Sequence, residues 1–233
     1  MNLAIIPARG GSKRIPAKNI KEFAGKPLIA YSIQAAENSG LFDKVWVSTD
    51  SDDVADIAKM YGADVPFMRS KELSNDVIGT RPVTTHAIQH CIEHYQKPDY
   101  CCCIYATAPF LQAEYLRKGF DSLTSDDKKS FSFAVTSFAF PIQRSISIKQ
   151  GNVAPMFPQD IFKRSQDLEE AYHDAGQFYW GKTDDYLTSK KIFSEHSVPI
   201  VLPRHLVQDI DTPEDWHRAE LMYQAYVRGM END

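Results

Sequence analysis

The stretch Ile6-Pro7-Ala8-Arg9-Gly10-Gly11-Ser12-Lys13-Arg14-Ile15-Pro16-Ala17-Lys18-Asn19 decides the fold of this chain and indicates its chemistry. It joins a short apolar strand, predicted over residues 3–6, to a loop rich in glycine and in cations. The glycines let the backbone approach phosphate oxygens closely because they carry no Cβ atom. Ligands of open α/β sheets bind beyond the carboxyl ends of the strands, which is where this loop lies. The stretch therefore predicts a nucleoside triphosphate site, and the alternative is a solvated basic surface.

Composition narrows the classes of protein to which the chain can belong. Its 233 residues, of which 43% are hydrophobic, suit one buried core, so we expect a single domain over residues 1–233. The formal net charge of −5 argues against a nucleic-acid partner. No segment approaches the roughly 18 consecutive apolar residues that span a membrane, and cations interrupt the N-terminus where a signal peptide is apolar. We therefore expect a cytoplasmic protein without a membrane partner.

The spacing of the cysteines indicates that they pack in the core and do not bind metal or form disulfide bonds. Three of the four cysteines are consecutive at residues 101–103, and the fourth is Cys91. Neither spacing suits a zinc site or a disulfide framework, so we expect small buried hydrophobic side chains in a reducing compartment.

Strand and helix patterns alternate through the first half of the chain, which predicts βα units and a mainly parallel sheet. A final helix over residues 213–227 is indicated by Thr212 as N-cap and Pro213 at the first helical position. Three other helices are predicted, over residues 28–39 (ending at Gly40), over residues 52–61 (ending before Gly62) and around residues 82–95. The other predicted strands cover residues 44–49 and 100–105.

The segment over residues 138–172 breaks this alternation. It is rich in Pro, Ser, Gln and charged residues, and it could be disordered, a lid, or an arm that pairs with another subunit. It also carries apolar residues that a free linker would lack, namely Phe140, Ile142, Ile146, Ile148, Phe157 and Phe162. We therefore expect an inserted dimerisation arm and a homodimer in which the partner helps to complete each active site.

A pair of carboxylates near the C-terminus indicates a metal site. If residues 207–211 continue a strand, Asp209 and Asp211 share one face and Ile210 lies on the other. Two close carboxylates repel unless one is protonated or a cation lies between them, and Mg²⁺ prefers such ligands together with phosphate oxygens. The alternative is that one aspartate caps the last helix while the other is solvated. Because a triphosphate loop is present, we expect Mg²⁺, with Mn²⁺ as a possible substitute.

The loop matches neither the P-loop pattern nor the dinucleotide-binding pattern. It resembles the N-terminal signature of the CMP-sugar synthetases, cytidylyltransferases that activate sialic acids and related 2-keto acidic sugars, and the resemblance runs nearly end to end. This resemblance implies a three-layer α/β/α, Rossmann-like nucleotidyltransferase fold with a mixed, mainly parallel sheet and a protruding dimerisation arm. It also implies CTP as the nucleotide and Asp209 and Asp211 as the magnesium ligands.

The resemblance assigns most of the loop to the nucleotide. The triphosphate would lie against the loop cations, and Lys18 is expected to stabilise charge at the α-phosphate. Arg69 corresponds to an arginine beside the nucleotide pocket, while Asp76 and Thr80 lie in a stretch that approaches the ribose and phosphates. The nucleotide-binding set is Ala8, Arg9, Gly10, Gly11, Ser12, Lys13, Lys18, Asn19, Arg69, Asp76 and Thr80, and the catalytic set is Arg9, Lys18 and Asp211.

Two departures from the sialic acid enzymes concern the sugar. Residues 105–111 read Tyr-Ala-Thr-Ala-Pro-Phe-Leu where those enzymes usually have Gln-Pro-Thr-Ser-Pro-Leu-Arg, and residues 172–176 read Tyr-His-Asp-Ala-Gly in place of Tyr-x-x-Asn-Gly. Both are similar to the branch of the family that uses pseudaminic acid, which implies that sugar. The expected sugar-binding residues are Tyr105, Thr107, Arg164, Gln166, Tyr172, Asp174, Phe178 and Tyr179.

Three of these side chains, and their neighbour His173, carry more specific expectations. Arg164 is expected to pair with the sugar carboxylate, for which a guanidinium fork is well shaped. One of Phe178 and Tyr179 must face the core, because neighbours on a strand point to opposite sides. His173 is expected to make a sugar or structural hydrogen bond rather than to act as a general base.

The expected reaction is attack of the anomeric hydroxyl of a nine-carbon acidic sugar on the α-phosphorus of CTP, giving a CMP-sugar and pyrophosphate. Such a transfer depends on alignment and on charge neutralisation, and it needs no covalent enzyme intermediate. The alternatives are the same reaction on sialic, legionaminic or 3-deoxy-octulosonic acid, a metal-dependent glycosyltransferase, and a non-catalytic nucleotide-binding module.

Overall fold

The structure, a computed structural model, describes residues 1–188 and 190–230. The strands are β1 (Asn2–Pro7), β2 (Glu22–Phe23), β3 (Lys26–Pro27), β4 (Lys44–Ser48), β5 (Tyr100–Ile104), β6 (Phe131–Ser137), β7 (Ile146–Lys149), β8 (Asn152–Pro155), β9 (Tyr172–Lys182) and β10 (Ser197–Val201). The α-helices are α1 (Leu28–Ser39), α2 (Asp52–Met60), α3 (Thr80–His94), α4 (Ala113–Thr124), α5 (Thr183–Leu187) and α6 (Pro213–Met230).

The described residues form a six-stranded sheet in the order β10-β6-β9-β5-β1-β4. Strand β1 runs parallel to both β4 and β5, and β10 runs parallel to β6. Strand β9 is inserted between β5 and β6 and is antiparallel to both. The expectation of a mixed, mainly parallel sheet is confirmed.

Helices cover both faces of this sheet, and the alternation of side chains along β1 shows how. Ala4 and Ile6 pack in one apolar cluster with residues of α1, α4 and α6. Leu3 and Ile5 point the other way and pack with residues of α3 and α5. All four side chains are fully buried, as is typical of a strand covered on both faces. The three-layer α/β/α arrangement is therefore confirmed.

Local signals set the helix ends as the sequence predicts. Helix α1 ends at Gly40, which has a φ of 67°. The Ser51 hydroxyl accepts a hydrogen bond from the backbone N–H of Val54 at the start of α2. At the start of α6, the Thr212 N–H donates to Asp215 Oδ2 at 2.8 Å, and the Asp215 N–H donates to Thr212 Oγ1 at 3.2 Å. This reciprocal cap satisfies donors that the first helical turn leaves unpaired.

The cysteines are free and buried, as predicted. Burial raises the pKa of the Cys101 and Cys103 thiols to about 12, so these groups stay protonated and unreactive at neutral pH.

Residues 207–211 do not continue a strand, so the condition on which the two aspartates were placed on one face is not met. Strand β10 ends at Val201, a 3₁₀ turn follows over Arg204–Leu206, and the chain then runs irregularly into α6. Alternation of burial nevertheless persists in this segment, because Ile210 is fully buried whereas Asp209 and Asp211 are not. The two carboxylates therefore stay outside the core without the help of a strand ladder.

The residues between β6 and β9 form a projecting hairpin rather than part of the main sheet. Strands β7 and β8 pair antiparallel around Gln150 and Gly151, whose φ angles are 50° and 81°. Several large apolar side chains of this segment are exposed: Phe140, Ile146, Ile148, Val153, Met156 and Phe162. The role of the segment in dimerisation stays a prediction.

Within residues 1–188 and 190–230, none of the helices combines the length and the apolar character needed to cross a membrane.

Candidate active site

The loop after β1 opens into a cavity of about 480 Å³ at the carboxyl end of the sheet. Four separate parts of the chain meet there, namely the loop itself, the segment from Arg69 into α3, the residues that follow β5, and the segment before α6 that carries Asp211. Most of the predicted nucleotide site lines this cavity, including Arg9, Ser12, Lys13, Lys18, Asn19, Arg69, Asp76 and Thr80, together with Tyr105, Thr107 and Asp211.

The remaining loop residues shape the backbone and contribute no side chain to the cavity wall. Ala8 is buried in the core, and its N–H donates to the Ser48 carbonyl at 2.9 Å. The N–H of Gly10 donates to Asp50 Oδ1 at 2.9 Å. A Cβ atom on Gly10 would lie 2.7 Å from the Cβ of Ser51, so this position admits only glycine without a shift of the neighbouring segment. That backbone amides of Ala8, Gly10 and Gly11 bind phosphate stays a prediction.

Carboxylates hold the cations of the loop in two groups. Arg9 and Lys13 both form ion pairs with Asp76. Arg14 lies 2.8 Å from Asp211, and Lys18 lies 3.2 Å from the same carboxylate. Hydrogen bonds from the Lys13 and Arg9 side chains lower the pKa of Asp76, which is therefore ionised at neutral pH. The cavity thus presents four cationic side chains along one wall.

Lys18 is the most enclosed of these cations, with 17% of its side chain exposed. Its Nζ donates to the carbonyl oxygen of Ile210 at 2.6 Å as well as to Asp211. These contacts tie the phosphate loop to the segment that carries the aspartate pair, over a separation of more than 190 residues in sequence.

Arg69 lies in the wall of the same cavity, and 3% of its side chain is exposed. Its Nε donates to the Ser74 hydroxyl at 3.0 Å, and its Nη2 lies 3.9 Å from Asp50. Burial lowers the pKa of the Arg69 guanidinium, and the charge of Asp50 opposes that shift. Asp50 therefore anchors both Arg69 and Gly10, a role that the sequence analysis missed. Asp50 directly follows the residues whose pattern predicts a strand, and this position at the carboxyl end of a strand could have identified it as a site residue.

Asp209 and Asp211 lie on either side of the boundary between two cavities, because Asp211 lines the first and Asp209 lines the second. Partial burial and the negative charge of Asp211 raise the pKa of Asp209. Neither carboxylate caps α6, since Thr212 and Asp215 form that cap. The alternative explanation of the pair as a helix cap is therefore not supported.

The two carboxylates in this region suit a magnesium ion, which takes few protein ligands. They do not suit a metal ion that the protein alone must coordinate. Across the described part of the chain, no cluster of three or more His, Cys, Asp or Glu side chains is arranged to hold a metal. Mg²⁺ commonly takes only one or two carboxylates and completes its shell with water and phosphate oxygens. The two carboxylates next to a cationic cavity match that pattern, and burial together with the charge of Asp211 raises the pKa of Asp209.

The second cavity, of about 460 Å³, adjoins the first at Tyr105, which lines both. Arg204 and Arg218 bring two cations to it, and the Arg204 guanidinium donates to the Phe138 carbonyl at 3.4 Å. The sequence analysis missed both arginines, because their approach depends on the path of the chain between β10 and α6. The rest of the lining is mostly polar: Thr136, Ser137, Ala139, His173, Asp174, Ala175, Gly176, Val207, Gln208 and Asp209.

Strand β9 has a β-bulge-like irregularity beside Tyr105, and the side chain of Asp174 stabilises it. The pairing of β9 with β6 shifts register between Phe133 and Val135. Asp174 accepts hydrogen bonds from the Gly176 N–H at 3.0 Å through Oδ1 and from the Tyr179 hydroxyl through Oδ2. Both carboxylate oxygens therefore already have a partner within the chain. A third, smaller cavity of about 150 Å³ lies here, lined in part by Tyr105, Asp174, Tyr179, Ile192 and Phe193.

The other predicted sugar residues do not line the second cavity. Phe178 is fully buried, and its ring lies against α4 beside Gly119, so the prediction that it contacts sugar is wrong. The alternation of β9 turns Phe178 to that face and Tyr179 to the opposite one. Thr107 lines the first cavity rather than the second.

Three more of the predicted residues lie on or beside the projecting segment. Arg164 pairs with Asp167 at 2.8 and 3.1 Å, and the Tyr172 hydroxyl donates to Glu170 at 2.7 Å. Gln166 is exposed in the 3₁₀ turn Ser165–Asp167. Contact of these side chains with sugar stays a prediction. His173 Nδ1 lies 2.9 Å from the Asp174 carbonyl, which matches the expected structural hydrogen bond.

Comparison with known proteins agrees with this geometry. A family model described as cytidylyltransferase matches residues 3–224. The chain is 47% identical over 225 residues to a pseudaminic acid cytidylyltransferase of Campylobacter jejuni, covering 96% of this chain and 97% of that protein. It is 34% identical to a CMP-N,N'-diacetyllegionaminic acid synthase of Legionella pneumophila, covering 94% of each.

A solved structure shows the same fold at much lower sequence similarity. A CMP:2-keto-3-deoxy-manno-octonic acid synthetase complexed with CTP aligns with a TM-score of 0.68 at 16% identity, covering 96% of this chain and 99% of that one. The resemblance of the phosphate loop is thus supported by the family model, by relatives that match nearly end to end, and by the fold. The chain belongs to the cytidylyltransferase family.

Proposed function

We propose that this chain transfers the cytidylyl group of CTP to a nine-carbon 2-keto acidic sugar, and that pseudaminic acid is the preferred sugar. The observation that carries the proposal is the pair of cavities that meet at Tyr105, one lined by the loop cations and the other by Arg204 and Arg218. The first suits a triphosphate, and the second suits an acidic, hydroxylated molecule. The Campylobacter relative, which bears the name of this activity and matches nearly the whole chain, supports the choice of sugar.

The chemistry needs one bond to form and one to break. The anomeric oxygen of the sugar attacks the α-phosphorus of CTP, and the bond from that phosphorus to the bridging oxygen of pyrophosphate breaks. Arg9, Lys13 and Arg14 would bind the phosphates that leave, while Lys18 would neutralise charge that builds at the α-phosphate. No covalent enzyme intermediate is required, since alignment and charge neutralisation supply most of the catalysis.

Asp209 and Asp211 would hold a magnesium ion, for which Mn²⁺ could substitute, at the boundary between the two cavities. When bound, the ion would neutralise phosphate charge and lower the pKa of the attacking hydroxyl. The position of the pair supports this proposal, because Asp211 faces the nucleotide cavity and Asp209 faces the sugar cavity.

The second cavity offers groups for each part of an acidic sugar. Arg204 and Arg218 would attract the carboxylate, and polar groups such as Ser137 and Gln208 would meet hydroxyls. The smaller cavity next to Ile192 and Phe193 is of a size and character that suits the methyl group of an acylamido substituent.

A second subunit would complete this site. The exposed apolar side chains of the projecting hairpin, including Ile148 and Phe162, support burial of residues 138–172 against a partner in a homodimer. We place the enzyme in the cytoplasm, where its four free cysteines would stay reduced.

A test of the function measures pyrophosphate release from CTP and Mg²⁺ with pseudaminic, legionaminic, N-acetylneuraminic and 3-deoxy-octulosonic acids. We expect the highest kcat/KM with pseudaminic acid. Legionaminic acid is the second candidate, because of the Legionella relative. Absence of pyrophosphate with every acidic sugar would overturn the proposal, whereas equal efficiency with two sugars would overturn only the preference. A glycosyltransferase would consume a CMP-sugar and release no pyrophosphate.

A further inference from the structure

An acidic side chain already occupies part of the phosphate-binding wall. Asp76 forms ion pairs with both Arg9 and Lys13, which line the nucleotide cavity beside it. Unlike Asp211, it is not a candidate metal ligand. The sequence analysis expected Asp76 to approach the ribose and phosphates, yet an ionised carboxylate in contact with these two cations would repel phosphate oxygens.

The local backbone places Asp76 in this position. The Asn75 side-chain oxygen accepts hydrogen bonds from the N–H groups of Val77 and Ile78 at 2.9 and 3.1 Å, which forms an Asx turn with Asp76 at its tip. The Asn75 amide also donates to the Glu72 carbonyl at 2.8 Å. The base of the segment is anchored by the buried Arg69 through Ser74. Asp76 therefore meets the cations because the segment is built to present it.

We infer that Asp76 is a counter-ion that competes with phosphate oxygens for Arg9 and Lys13 and thereby lowers the affinity of this cavity for anions. This inference rests on the proposed function only in that a triphosphate binds in this cavity. An incoming anion must displace the carboxylate from two cations, and this cost is common to a triphosphate and to inorganic phosphate. The carboxylate also repels an anion more strongly the more negative charge the anion carries.

The size of the effect follows from the exposure of the pairs. The Arg9 and Asp76 side chains are 36% and 43% exposed and the Lys13 side chain is 79% exposed, so water screens both ion pairs and screens the Lys13 pair more. Two exposed pairs limit the gain from removing the carboxylate to about 2-fold to 30-fold in anion affinity. The gain should be at least as large for tripolyphosphate as for inorganic phosphate, because the carboxylate repels the more highly charged anion more strongly.

Calorimetric titration of Asp76→Asn with inorganic tripolyphosphate, inorganic phosphate, CTP and cytidine, without sugar or metal, tests the inference. We expect tighter binding of tripolyphosphate, inorganic phosphate and CTP, and unchanged cytidine binding. Asp76→Glu, which keeps the charge, should stay close to the parent. Asp184→Asn is the matched control, because Asp184 pairs with Lys97 at 2.6 Å on an exposed surface and does not line either large cavity.

Two results would overturn the inference. If Asp76→Asn weakens both CTP and cytidine but not tripolyphosphate, Asp76 binds the nucleoside, as the sequence suggested. If no affinity changes, the ion pairs are irrelevant to binding. Tripolyphosphate binding needs neither sugar nor turnover, so either result leaves the proposed reaction standing. Failure of the parent protein itself to bind tripolyphosphate would overturn this inference, but it would leave the proposed function standing, because there CTP binds together with Mg²⁺.

Discussion

Replacing Lys18 with alanine is the most direct test of how the phosphate loop acts. The Lys18 ammonium is the most enclosed of the four loop cations and contacts the Ile210 carbonyl and Asp211, next to the boundary of the two cavities. The α-phosphate must lie at that boundary if the sugar is to attack it. We therefore expect the loss of this charge to affect the transition state more than the bound ground state.

The expected loss in kcat is about 10²-fold to 10³-fold, the usual effect of removing a group aimed at developing charge, or about 2.7 to 4 kcal/mol. Affinity for CTP should fall much less, because Arg9, Lys13 and Arg14 remain in the cavity. Folding should survive, since Arg14 still pairs with Asp211 at 2.8 Å after Lys18 is removed. Steady-state pyrophosphate release gives kcat and KM, and calorimetry gives the CTP affinity separately.

Lys21→Ala is the matched control. It makes the same change in net charge three residues away, but the Lys21 ammonium lies over the Trp216 ring, 4.2 Å from its centroid, and does not line the nucleotide cavity. It should keep near-parent kcat. A Lys18→Ala variant that lost CTP affinity while keeping kcat would refute the assignment, and so would one that matched the Lys21→Ala control in both measurements.

Three further predictions concern the metal pair, the sugar cavity and the arm. Asp211→Asn should lower pyrophosphate release by about 10²-fold or more with little change in melting temperature, as followed by circular dichroism, because a partly exposed carboxylate contributes little to the core. Asp174→Ala and Tyr179→Phe each remove the hydrogen bond between these two side chains, so their losses in kcat/KM for the sugar should be less than additive in the double variant; full additivity would argue that each contacts the sugar independently. Ile148→Asp should shift the protein from dimer to monomer in sedimentation velocity and lower activity, and an unchanged dimer would count against the arm.

Much of the nucleotide cavity could be predicted because its signals are contiguous. The apolar strand, the glycines and the cations of the loop all lie within residues 3–19. A buried strand followed by a glycine-rich, cationic loop occurs in few structural contexts other than a phosphate site. The starts of α2 and α6 were equally predictable, since the Ser51 and Thr212 caps act within four residues, whereas α4 and α5 were not predicted. Local chemistry therefore decided those parts of the structure.

The sugar cavity could not be predicted in the same way. Arg204 and Arg218 reach it from either side of the aspartate pair, and their approach depends on how the chain turns after β10. Alternation showed that one of Phe178 and Tyr179 faces the core, but the register shift between β6 and β9 made the choice depend on tertiary structure. Residues 207–211 do not continue a strand for a related reason, since residues 204–206 form a 3₁₀ turn.

The insertion of β9 between β5 and β6 explains why the two cavities meet at one side chain. Tyr105 follows β5 directly, and its N–H donates to the Gln177 carbonyl of β9 at 2.9 Å. The irregular part of β9, held by Asp174, therefore lies against Tyr105 from the sugar side, while Thr80 and the loop cations approach from the nucleotide side. Because each Asp174 oxygen already accepts a hydrogen bond that holds β9, we expect a preference between acidic sugars to arise mainly from the shape of the wall around Tyr105 and Tyr179. The non-additivity of Asp174→Ala and Tyr179→Phe measures how far these two side chains act as one unit.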